Sequence, residues 1–258
     1  MTELADQGLS YSTIKSTKSA ISHINMNNNI FKDHNNLIKQ FMKGVYKERP
    51  SIPKYFSTWD PQKILNYIKS WIDDGSLKQL TLKTMFLVLL CSAKRGQEII
   101  NIHIDNIHIK EDEIIIRSGD LSKTSRPDTK DPLIIFPKFI QDTRICVYTL
   151  LKEYLVKTEI LRKEEKQLFI SFAKPYKKIS RDTLSRWIKL MLKKGGVDTE
   201  MYKTHSLRHA ATSCAASKEV SLSVILSRVG WTQESTFTKF YKRKVMEDRG
   251  VFCTSILQ

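Results

Sequence analysis

The stretch HSLRH at residues 205–209 sets two histidines and an arginine within five residues. On a helix, His205 and His209 share a face at the spacing of a zinc pair, whereas His205 and Arg208 share a face suited to an anionic oxygen. A zinc protease helix would read HExxH, with the glutamate as general base; here position 206 is serine and Arg208 would repel a dication. The phosphate reading therefore carries more weight, and His209 is an ordinary helix residue under it.

A phosphodiester transition state has two non-bridging oxygens to neutralise and a leaving oxygen to protonate. With no metal motif in the chain, those charges must come from arginine and lysine. SAKRGQEI, residues 92–99, supplies Arg95 directly after an apolar stretch, with Gly96 expected to let the backbone turn. A basic residue closing a helix against its dipole is the plainer account of Arg95. Downstream, GWTQESTFTKFY ends in Tyr241 between Lys239 and Lys242, while Phe237 and Phe240 read as core. A tyrosine becomes a covalent nucleophile once nearby cations stabilise its phenolate. The chain order is then Arg95, Lys123, His205 with Arg208, Trp231 and Tyr241.

These residues need a scaffold, and 258 residues suffice for one large or two unequal domains. The longest apolar run, MFLVLLC at 85–91, is too short to span a bilayer and predicts a buried helix. The polar start, MTELADQGLS, lacks the apolar core of a secretory signal. Four cysteines lie far apart with no CxxC pair, as expected of reduced thiols rather than a zinc ribbon or disulfide framework. Lysine and arginine number 43 against 27 acidic residues, a net charge of +16 that favours a polyanion, nucleic acid before membrane.

Two short amphipathic helices around an Asn-rich loop are expected in residues 1–49, then a linker over 50–57 in RPSIPKYF, and a larger domain over 58–258. Thr58 and Asp60 around Trp59, with Pro61, open that domain's first helix. Helical patterns cover 60–73 and 80–93. β-Branched alternation in INIHIDNIHI, EIIIRSG and PLIIFP then predicts a small antiparallel sheet, its last connection being the exposed loop DLSKTSRPDTKD. Helices follow over 139–157, 180–194, 205–218, 221–229 and 235–243. The fold class is mainly α with a small antiparallel β-sheet.

This ordered set resembles the tyrosine recombinase, or phage-integrase, family over about residues 56–245. KRGQEI is similar to that family's arginine box with a glutamate three residues on, here Glu98; HSLRHAAT to its H-x-x-R box; LSKTSRP to its lysine hairpin. VGWTQESTFTKFY places Trp231 ten residues before Tyr241, as the family's box does. KTSRP, WDP and STFTKFY are similar to recombinases of eukaryotic DIRS-type and Crypton-type mobile elements. The resemblance implies that Tyr241 attacks a DNA phosphodiester to form a 3'-phosphotyrosyl link, and that Arg95 and Arg208 clamp the non-bridging oxygens. It further implies that Lys123, preferred over Lys130 and Arg126 in the same loop, protonates the leaving 5'-oxygen, that His205 assists, and that Trp231 donates its indole N–H in place of a second histidine. Glu98 would support Arg95. Neither metal nor cofactor is called for; the partners would be double-stranded DNA and further copies of the chain, in a nucleus if the host is eukaryotic and in cytoplasm otherwise.

Local charge adds a contact surface. Residues 172–196 hold eight basic residues and one acidic, with Ser180 placed to cap a helix from Arg181. Leu184, Trp187, Ile188 and Met191 form its core face, which leaves Lys177, Lys178, Arg181 and Arg186 for DNA. Lys15 and Lys18 are further candidates, with Lys39 and Lys43. Only about 50 residues precede the linker, roughly half of the helical core-binding domain that the family usually carries.

Overall fold

The longest apolar run of the sequence forms the helix around which the larger part of the chain is built. In the computed structural model, Leu77–Ser92 is helical and Met85 to Val88 are wholly buried. Ser76 caps its start by accepting from the Gln79 N–H at 3.1 Å, and Ala93 ends it in the left-handed region at φ 50°. The structure describes residues 1–24, 35–50, 57–117, 133–231, 234, 237–238 and 244–245.

The chain divides into two compact units, Met1–Lys54 and Tyr55–Gln258. In the first, α1 (Thr2–Asp6), α2 (Tyr11–Ile24) and α3 (Asn35–Glu48) enclose a small core of Ile14, Met42 and Val45. Arg49 closes that unit by donating to the Ala5 and Leu9 carbonyls at 2.7 and 3.2 Å. Lys15, Lys39 and Lys43 are exposed and Lys18 half-buried. The expected linker lies, except for its end residues 50 and 57, outside the described residues.

The second unit begins with β1 (Ser57–Thr58) and α4 (Pro61–Lys69), whose Asp60 cap accepts from the Gln62 N–H at 2.8 Å. The central helix is α5, followed by the single-turn α6 (Gly96–Ile100). β2 (Ile107–Ile109), β3 (Glu113–Ile116) and β4 (Ile134–Pro137) pair antiparallel in that order. Then come α7 (Val147–Arg162), α8 (Arg181–Lys194), α9 (Ser206–Ser217), α10 (Leu222–Val229) and β5 (Lys244–Val245). α7, α8 and α9 all pack on α5, and β5 pairs in parallel with β1. Among the described residues no helix is long and apolar enough to cross a membrane.

Several local expectations change: Thr58 lies in β1 rather than at a helix start, and the helix expected to reach 73 ends at Lys69. The alternation in 101–106 does not extend the first strand: Ile104–Asn106 is a 3-10 turn, and that segment is held instead by Leu168 N–H donating to the Ile102 carbonyl at 2.7 Å. The helix expected at 139–157 starts at Val147 because Asp142 caps a separate 3-10 turn, Thr143–Ile145, at the Arg144 N–H. It continues to Arg162, whose buried guanidinium donates to the Gln167 and Leu168 carbonyls and to Thr158 Oγ1. Finally, the turn after α5 is made by Ala93, not Gly96. Gly96 is needed for space, since a Cβ there would lie 2.9 Å from Leu184 Cδ2 of α8. Of the helix expected at 235–243, Phe237 and Thr238 are described and helical.

Candidate functional site

Arg95 follows α5 in extended conformation and caps α6. Glu98 reaches back to it twice, Oε1 accepting from the guanidinium at 2.8 Å and Oε2 from the Arg95 N–H at 3.2 Å. This reciprocal contact at the third helical position fixes the arginine's base while leaving its side chain 38% exposed. A cation serving only the dipole of α5 would lie in that helix's last turn; Arg95 lies beyond it. Lys94 beside it is the more buried of the two.

His205 is exposed at the first residue before α9, and Arg208 is 7% exposed in the first turn. The Arg208 guanidinium donates to the Val229 carbonyl at 2.8 Å and stacks over Trp231, 4.8 Å from the ring centre. Both partners come from the end of α10, where Gly230 adopts φ 70° and turns the chain so that Trp231 follows at once. Trp231 also lies 6.1 Å from Phe237, which is buried as expected. His209 is half-buried, and the described residues contain no group of three or more His, Cys, Asp or Glu able to hold a metal ion.

The same helix end ties in the sheet. Arg228 donates to the Ile135 carbonyl of β4 at 3.0 Å, one residue past the Ile116–Ile134 pair. From that pair the connection bearing Lys123 leaves the sheet and returns to it. Lys123 itself, with Arg126 and Lys130, lies outside the described residues, as does Tyr241. The chain is described again at β5, three residues beyond Tyr241, where it packs on α9.

Sequence reasoning overlooked what braces the HSLRH turn. Trp59, 3% exposed, donates its indole N–H to Ser206 Oγ at 2.9 Å, and Ser57 Oγ lies 3.2 Å from Tyr202 Oη. A buried tryptophan needs an acceptor, and the serine between His205 and Arg208 was the available signal.

On another face, Ser180 caps α8 by accepting from the Thr183 N–H at 3.2 Å, and Leu184, Trp187, Ile188 and Met191 are buried. Lys177, Lys178, Arg181 and Arg186 are all exposed around this helix start. The preceding turn is held by Ser171 N–H donating to the Lys177 carbonyl at 2.8 Å, and Arg186 donates to Thr183 Oγ1 at 3.2 Å.

Residues 54–247 match the model of the phage integrase family, three-quarters of the chain. The chain belongs to the phage integrase family. A curated member, tyrosine recombinase XerC of Caldanaerobacter subterraneus subsp. tengcongensis, is 28% identical over 191 residues, which cover 73% of this chain and 47% of that protein. The chain thus spans about half the length of this relative. Among solved structures, the Tn1549 transposon integrase in complex with transposon right end DNA is similar with a TM-score of 0.60 at 16% identity, covering 99% of this chain and 81% of that one. The XerH site-specific recombinase bound to its difH substrate gives 0.58 at 16% identity over 78% of this chain and 53% of that one. At these identities the likeness establishes the fold, a mainly helical unit with a small antiparallel sheet.

Proposed function

We propose that this integrase-family chain breaks and rejoins double-stranded DNA, with Tyr241 as nucleophile. The observation that carries the reading is the convergence at the end of α10. There the Val229 carbonyl and Trp231 hold Arg208, while the neighbouring Arg228 holds the sheet that bears the Lys123 connection. An arginine this buried, beside a partly exposed aromatic, is a costly arrangement for structure alone.

In the proposed reaction the Tyr241 phenolate oxygen attacks phosphorus and the bond to the 5'-oxygen breaks, leaving a 3'-phosphotyrosyl link and a 5'-hydroxyl. Lys123 gives that oxygen its proton. Arg95, braced by Glu98, and Arg208 donate to the non-bridging oxygens, where planar guanidinium groups match the charge that develops. His205, exposed at the head of α9, orients the phosphate or relays a proton. Trp231 donates its indole N–H and cannot serve as a base. Phosphodiester energy is conserved in the covalent link, so rejoining consumes no nucleotide, and none of these steps assigns work to a cofactor.

Lys177, Lys178, Arg181 and Arg186 would hold DNA from the start of α8, with Lys15 and Lys18 as further contacts; residues 1–49 would form a partial core-binding domain and 58–258 the catalytic one. Self-association on DNA belongs to the same proposal: XerH, XerC and the Tn1549 integrase support a recombinase, and lambda integrase has been solved as a tetramer on a Holliday junction. The narrower placement with DIRS-type or Crypton-type elements, and the nuclear location it would bring, rests on KTSRP, WDP and STFTKFY alone.

A duplex nicked so that cleavage sheds a short strand tests the chemistry. The protein should become covalently attached to DNA in a form that survives denaturation, and Tyr241→Phe should abolish the adduct. Tight binding with no adduct on any duplex would leave a DNA-binding protein derived from a recombinase. Relaxation of supercoiled DNA without strand exchange would point instead to a nicking-closing enzyme of type IB topoisomerase character.

A further inference from the structure

We infer that Trp59 and Ser206 form a positioning pair that sets the HSLRH turn against the strand following Tyr241, an inference that rests on the chemistry proposed above. β1 has two residues only, yet it joins two parts of the chain far apart in sequence. On one side it pairs in parallel with β5, Ser57 opposite Lys244 and Thr58 opposite Val245. On the other, Ser57 reaches the segment that precedes α9 and Trp59 reaches the first residue of α9. Ser57 Oγ meets Tyr202 Oη at 3.2 Å, and the Trp59 indole N–H donates to Ser206 Oγ at 2.9 Å.

These contacts bracket His205 between two anchored residues. Trp59 and Ser206 are each 3% exposed or less, so water is kept from the bond between them, while the Ser57–Tyr202 bond is partly buried. A tryptophan could fill this core position without its donor, and an alanine could follow His205 in a helix more favourably than a serine. What the pair adds is direction: an N–H···O bond fixes the rotation of the first turn of α9, from which His205 and Arg208 project three residues apart. β1 carries that setting to β5 through its pairing with Lys244 and Val245. Neither Trp59 nor Ser206 is assigned a contact with the phosphate; they act through His205 and Arg208.

The test uses the full chain and the nicked duplex at saturating concentration. Trp59→Phe, Ser206→Ala and the double variant are compared for rate of adduct formation, DNA affinity and melting temperature. Each single change should slow adduct formation by about 10- to 100-fold while DNA affinity stays within about twofold, as for a small misplacement of reacting groups. The double variant should be no slower than the worse single one, because both remove the same bond. Wild-type rates in Ser206→Ala, or losses that multiply in the double variant, would overturn the inference. Ser206→Ala removes one atom and decides alone if Trp59→Phe melts below the assay temperature. Absence of an adduct from the wild type would overturn the proposed chemistry and this inference with it, whereas an adduct formed equally fast by every variant would overturn the pair alone.

Discussion

Replacing Arg208 by alanine should damage cleavage and the fold by separable amounts. The guanidinium donates to the Val229 carbonyl at 2.8 Å in a buried setting, and a buried acceptor left unpaired costs about 1–3 kcal/mol. Its stacking over Trp231 at 4.8 Å contributes roughly another 0.5–2 kcal/mol. Together these predict a fall in melting temperature of roughly 3–20 °C for a unit of this size, at about 2–4 °C per kcal/mol. In the proposed reaction the same change also removes a donor to the developing charge, worth on the order of 100-fold or more in rate. Adduct formation measured in a single turnover, well below the lowered melting point, isolates the second effect. DNA affinity, measured in parallel, should be nearly unchanged because many surface cations share it. Arg208→Lys keeps the charge but not the planar fork and should recover only part of the rate. Equal losses in affinity and cleavage would refute a transition-state role, and so would a rate loss fully accounted for by the unfolded fraction.

Other outcomes follow from the geometry away from Arg208. Alanine at Lys177, Lys178, Arg181 and Arg186 together should weaken DNA binding and reduce the salt slope of log affinity by up to about 3–4, near one for each phosphate no longer neutralised; an unchanged slope in a titration from low to high salt would remove this face from the interface. Gly195→Ala should lower stability to urea by about 1–3 kcal/mol, because the added methyl overlaps the wholly buried Ile64 Cδ1. The hydrogen bonds from Arg144 and the ion pair with Lys69 hold the Asp142 carboxyl down at about 2. Since a depressed carboxyl stabilises above its ordinary pKa of about 3.9, that contribution should fade as acid takes the pH down through about 2. Asp142→Asn should flatten the acid limb of the stability profile between those values, as followed by urea unfolding at each pH.

The parts of the fold legible in sequence are those whose signal is local. MFLVLLC reads as a buried helix, and Met85 to Leu90 are buried while Cys91 is exposed; Ser180 with Leu184, Trp187, Ile188 and Met191 gave a capped helix with one core face. Errors arose where a distant partner decided the outcome. INIHID alternates like a strand, but its backbone is taken by residues 166–168 rather than by a neighbouring strand. The extra turn of α7 depends on Arg162 finding carbonyls beyond the helix end, which periodicity cannot foresee. Gly96 was legible as necessary but for the wrong reason, since close approach to Leu184 leaves no mark in the local sequence.

The candidate site follows the same division between identity and support. Arg95, His205, Arg208, Trp231 and Tyr241 stood out because their order resembles the signature of the family to which the chain belongs. Their supports did not, because each is a contact across the fold: Val229 and Trp231 hold Arg208 from 21 and 23 residues away in the sequence, and Trp59 reaches Ser206 across 147. Such contacts also explain why Arg208 can be buried at all. A guanidinium withdrawn from water needs acceptors in fixed places, and the end of α10 offers a carbonyl and an aromatic face. In the proposed reaction this orientation, set in advance, would let Arg208 spend little of the binding energy of DNA on ordering itself and leave that energy for the phosphate.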